Sequence, residues 1–287
     1  MAELDELIRL YRQTSGDLAI AQRDFPGDRL VLFLNQLVSR AYGIIYQEPP
    51  APLSQLRRFF QRELPREYRA AWPYLAASAA LLFVPMILAA VLIILAPDRA
   101  SLILPSGLVS EIKAGHTWFD ASSAERPALA SFIMTHNVQI ALLAFASGVL
   151  GGIGPIYILI DNGIQIGAIA GTLIAYGLGN TLVGFVSPHG FLELSVVVVS
   201  GAGGLMLGRA VIWPGLQTRG TALTAAGQRA VRLVLGLLPF LGIAGLLEGF
   251  VSPSHFAWPF KLAIGLLTAV VMYGYLLGAG RSAKAKS

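Results

Sequence analysis

Apolar runs close to twenty residues long recur down this chain, and no other feature restricts its fold as tightly. A helix needs about 20 such residues to cross the roughly 30 Å hydrocarbon core of a bilayer. The expected fold is therefore all-α, a polytopic membrane helix bundle. About six transmembrane spans can be drawn, near 73–96, 132–150, 155–177, 188–212, 232–250 and 258–278. Charge supports this: 13% of the residues are charged, about half the ~25% usual in a soluble domain. The first run starts near Trp72, too deep for a cleaved signal peptide. Cysteine is absent, which excludes disulfides and thiolate chemistry.

Basic residues set the expected orientation. Ten arginines precede Trp72; Arg209, Arg219, Arg229 and Arg232 lie at or between the facing ends of the fourth and fifth spans, and Arg281, Lys284 and Lys286 end the chain. Those seventeen face Arg99, Lys113, Arg126 and Lys261 on the other side. By the positive-inside rule both termini are cytoplasmic, so the net charge of +5 reports topology rather than nucleic-acid binding.

The chain divides on this reading into a cytoplasmic helical region, 1–71, a transmembrane domain, 72–280, and a basic tail, 281–287. The first holds helices near 3–22 and 28–47, then a third from Leu53 to Arg69 after a proline-rich break. That third helix mixes Leu56, Phe59, Phe60 and Leu64 with five arginines, as a helix in an anionic membrane interface would. Residues 97–131 form an external segment apolar enough to hold a short helix on the outer leaflet.

Gly163, Gly167 and Gly171 fall at four-residue intervals, and Gly201, Gly204 and Gly208 make a similar face in the fourth span. Small residues so spaced allow close helix approach. Bundle packing, a subunit interface and a sliding surface all fit. Residues 184–191 and 249–256 agree at six of eight positions, as parallel repeats or a shared turn chemistry would.

Polar residues inside the spans are the candidate site. Asp161 and Asn162 lie in the third span, where Gly163 invites a local break in the helix. His189 and Glu193 stand four apart on one face at the start of the fourth, with Pro188 fitting its first turn. Glu248 ends the fifth. His136 and His255 are additional external ligand candidates. Intramembrane carboxylates need a partner, protein or water around them. The set has the donors for a divalent metal, for a proton or solute pathway, or for hydrogen bonds pinning helix ends. No cofactor is otherwise implied. Phosphate-loop and Gly-x-Ser-x-Gly motifs are missing, so no catalytic residues are read; Ser187 beside His189 does not make a triad.

These same residues carry a resemblance. Asn162-Gly163, Pro188-His189-Gly190 with Glu193, Ser200 to Gly204, Trp213-Pro214-Gly215 with Arg219, and Leu247-Glu248-Gly249-Phe250 with Ser252-Pro253-Ser254 resemble the stage II sporulation protein M family. Relatives often have paired asparagines entering the second span, where this chain has His136-Asn137. The resemblance implies a multi-pass protein of the bacterial cytoplasmic membrane. The family's founding member is similar to a membrane anchor that recruits cell-wall-degrading partners during engulfment. It implies a non-enzymatic scaffold with lipid, membrane or envelope protein partners and self-association. A proton- or ion-coupled permease using the buried carboxylates is the alternative.

Overall fold

A computed structural model describes residues 2–45, 53–117 and 126–281, and their secondary structure is helical throughout. The chain separates into two compact units, Met1–Arg58 and Phe59–Ser287.

The first unit pairs α1 (Ala2–Asp24) with α2 (Arg29–Ile45) and ends in α3 (Leu53–Arg58). Pro26-Gly27 supplies the turn between the pair, and Asp28 Oδ1 accepts from the Leu30 N–H at 2.9 Å, capping α2. Leu18 and Ala21 of α1 are buried. Leu30, Phe33 and Leu37 of α2, at helical spacing on one face, are 47%, 61% and 43% exposed. This leaves an apolar stripe facing outward.

The second unit opens with a π-turn (Phe59–Glu63) and α4 (Leu64–Ala70). The single helix expected over 53–69 is thus divided. Pro65 has no N–H and crowds the carbonyl four residues back, which favours a widened turn just before it. α4 is fixed firmly. Arg69 Nη1 donates to the carbonyls of Leu276 and Ala279 at 2.9 and 2.8 Å. Arg229 pairs with Glu67 at 3.0 Å, and the Tyr275 hydroxyl donates to the Phe60 carbonyl.

Then follow α5 (Trp72–Leu95), a 3-10 turn (Pro97–Leu102), α6 (Ser106–Lys113), α7 (Arg126–Ala146), α8 (Ile153–Ala175), α9 (Gly179–Ile212), α10 (Arg219–Leu246), a π-turn (Leu247–Val251) and α11 (Trp258–Gly278). Five stretches are long and apolar enough to cross a membrane: α5, α8, α9, α10 with its π-turn, and α11. The second expected span falls on α7 and the 3-10 turn that continues it (Ser147–Leu150), with an apolar stretch among the described residues of Thr135–Leu150. α7 begins at Arg126, within the segment expected to be external; residues 118–125 lie outside the described residues.

α9 is the axis of the bundle. In its most apolar stretch 83% is buried, against 22% for α5 and α11. Its glycines let neighbours approach backbone to backbone. A Cβ on Gly204 would lie 2.1 Å from the Ala144 carbonyl oxygen, and one on Gly208 2.4 Å from Gly152 Cα. Gly151 and Gly152, with φ of 71° and 80°, form the sharp entry to α8 that brings this contact about. Gly163, Gly167 and Gly171 sit against the carbonyls of Leu82, Met86 and Ala90 on α5, a four-residue repeat answered by another. The glycine face of α8 is therefore occupied within the chain. Ser78 donates to the Val198 carbonyl at 2.8 Å, tying α5 to the same axis.

Three local expectations are corrected. α9 starts at Gly179, so Pro188 lies inside the helix rather than in its first turn. The stretch between the third and fourth expected spans read as a connection, but α9 continues through it; packing against neighbouring helices compensates for the proline. α8 runs unbroken through Asn162 and Gly163, because Gly163 serves a helix contact and not a break. Residues 184–191 are helical whereas 249–256 leave a π-turn for irregular chain, so the matching octets do not share one turn conformation.

Candidate functional site

Four segments contribute to one buried polar region. α9 presents His189 and Glu193 one turn apart, each 3% exposed. The π-turn after α10 buries Glu248 (2% exposed) and delivers Ser252 (3%). α11 contributes Lys261 from its first turn, 7% exposed, and α7 contributes Asn137.

Ser252 joins the polar groups through three of its atoms. Its hydroxyl lies 2.9 Å from His189 Nδ1, its carbonyl accepts from Lys261 Nζ at 2.6 Å, and its N–H donates to the Leu247 carbonyl at 2.9 Å. That last bond spans five residues, the π register. The extra residue it accommodates lets the helix end with both Glu248 and Ser252 turned inward. Phe185 closes one side, its ring edge-on to His189 with centroids 5.8 Å apart.

The carboxylates lie deeper in the same region. Asn137 Nδ2 donates to Glu193 Oε2 at 2.5 Å. Glu248 is buried on the π-turn that packs against α9, the helix that carries Glu193. One oxygen of each, Glu193 Oε1 and Glu248 Oε1, is buried without a hydrogen-bond partner among the described residues. Such a pair needs donors or a counter-charge, since an uncompensated charge in an apolar surround is costly.

Outward of Ser252 a cavity of about 380 Å³ is lined by Asn180, Thr181, Phe185, His255, Trp258 and Lys261, among others. Neither carboxylate lines it.

His189, Glu193 and Glu248 are brought into one region; the other sequence candidates lie elsewhere. His136 is exposed on α7, one position before the asparagine that does the bonding. His255 is exposed at the cavity rim. Asn162 is buried, its Nδ2 unpartnered among the described residues. Asp161 takes a 2.7 Å hydrogen bond from Gln165 on its own helix and has no bond to the Ser252 region. Among the described residues, no three of His, Asp and Glu are placed to hold a metal ion. Sequence reading passed over Asn137, Ser252 and Lys261. Lys261 carried a signal: a lysine just inside an apolar span must be buried with partners or reach the interface.

Helices of this length and apolarity, locked by glycine contacts around a buried polar core, define a multi-pass α-helical membrane protein. Residues 76–253 match the family model of stage II sporulation protein M, and the chain belongs to that family. The match takes in every member of the polar region except Lys261. Residues 1–47 match a separate domain of unknown function. No curated protein and no solved structure matches the chain.

Proposed function

We propose that this protein is a non-enzymatic scaffold of the cytoplasmic membrane that recruits membrane or envelope proteins. Six crossings are assigned, with α7 as the second. Both termini are cytoplasmic and α6 lies outside, on the seventeen-to-four division of Lys and Arg. Residues 1–71 form the cytoplasmic region, 72–280 the membrane domain and 281–287 the tail. In this reading the polar residues hold helix ends together.

The observation that carries it is closure around the carboxylates. Glu193 and Glu248 are 3% and 2% exposed, and neither lines the cavity outward of Ser252. A permease needs a polar path to such a group. A scaffold needs a rigid body and a docking surface, and the exposed Leu30, Phe33 and Leu37 stripe on α2 is of that kind.

Reconstituted into liposomes, wild type and Glu193→Gln should pass protons, sodium and potassium at the same low rate. Flux of any of these that depends on Glu193 would overturn the scaffold reading. In cells, replacing Leu30, Phe33 and Leu37 together with Glu should abolish photo-crosslinks formed from α2 while the membrane domain keeps its detergent elution profile. Gln13→Cys should resist an impermeant thiol reagent in intact cells and Ser110→Cys should react; the reverse pattern refutes the orientation.

A further inference from the structure

One face of α8 is covered along only half its length. Towards the C-terminal end Ala168 packs with Ile93, Ala100, Leu104 and Val109. Towards the N-terminal end Ile153 and Tyr157 are 72% and 67% exposed. Asp161 and Gln165 continue the line of Tyr157 at four-residue steps, the first half-buried and the second exposed. At 1.5 Å per residue they sit about 12 and 18 Å along a helix about 34 Å long. That is the middle of the hydrocarbon. Gln165 Nε2 donates to Asp161 Oδ2 at 2.7 Å, and among the described residues no other side chain bonds that carboxyl.

Lipid tails neither donate nor accept hydrogen bonds, and an ionisable residue at mid-depth faces protein or water. We infer that this face is where two copies of the chain meet. A two-fold axis along the membrane normal brings identical residues together at identical depth. Asp161 has lone pairs to spare, and Gln165 keeps a second amide proton. Each Gln165 can then donate across the axis to Asp161 of the partner subunit while retaining its own. Ile156, Ile160 and Ile164 flank the polar line and supply the packing. A different partner would have to match both donor and acceptor at this depth, whereas a second copy does so by symmetry. The inference depends on α8 spanning the bilayer and not on the scaffold role.

The natural chain has no cysteine, so single substitutions report without background. Tyr157→Cys and Ile164→Cys, oxidised in native membranes, should each give a covalent dimer on a non-reducing gel. Val270→Cys, on the 68% exposed outer face of α11, should not. Adding Asp161→Leu to either α8 variant should remove most of the dimer band, while Asp161→Asn, which keeps an acceptor, should spare it. Detergent elution profiles verify that each variant is folded. Absence of dimer at both α8 positions, equal dimer at Val270, or a band indifferent to Asp161→Leu overturns the inference.

Discussion

Adding one methyl group at Gly167 tests the central packing claim. A Cβ there would stand 2.1 Å from the Met86 carbonyl oxygen and 2.9 Å from Met86 Cα. The obstacle is backbone, so no side-chain rotation relieves it. α5 and α8 must part by about 1 Å, and a gap of that size forfeits a quarter to a half of the dispersion energy of the contacts it opens. Overpacking of this kind costs about 3 kcal/mol at the upper end of its usual range. Alanine's better helix propensity returns about 1 kcal/mol. The net expectation for Gly167→Ala is a loss of about 2 kcal/mol, read by reversible unfolding in mixed detergent micelles. Gly274→Ala is the matched control, since a Cβ on Gly274 meets nothing within 4 Å. It should be neutral or slightly stabilising. If Gly167→Ala unfolds with wild-type stability, the α5–α8 contact is not as close as described.

Two further outcomes follow from individual contacts. Asn137→Ala and Glu193→Gln should be non-additive in the same assay, with a coupling above about 0.5 kcal/mol; strict additivity would mean that the 2.5 Å hydrogen bond between them contributes nothing. Arg69→Ala removes a charged donor from the last carbonyls of α11 and should cost about 1.5–3 kcal/mol, with faster hydrogen exchange at the α11 end; unchanged exchange at residues 276–279 would refute the cap.

The long apolar spans were readable because hydrocarbon imposes one rule, length with apolarity, on every residue of a span. Positions where neighbours decide were not. Residues 179–187 read as a loop because Asn180, Thr181, Ser187 and Pro188 are poor helix signals in isolation, yet α9 runs through them, burying Gly184 and Ser187 while Asn180 and Thr181 stay exposed. The π-turn at 247–251 is a choice of hydrogen-bond register, which side-chain pattern does not encode. His189, Glu193 and Glu248 stood out as charged or titratable groups in apolar runs. Asn137 was masked by its more conspicuous neighbour His136, although a rotation of one helical position separates a residue facing the bundle from one facing out. The α8 glycines were recognised as a contact face; that α5 fills it could not be read, since spacing names a surface and not its occupant.

The enclosure of α9 also bears on how the protein enters the membrane. Spans leave the ribosome in order, so α9 reaches the bilayer before α10 and α11 exist. At that moment His189 and Ser195, both buried in the finished bundle, lack the Ser252 and Tyr273 hydroxyls they bond there. A helix carrying such residues gains little from lipid alone. Its stable integration should therefore depend on the chain that follows, with α9 retained at the insertion machinery, or beside α5 and α8, until Ser252 and Tyr273 arrive. Truncation after Ile212 would strand it, and the central helix of the mature bundle would be the one most exposed to quality control during synthesis.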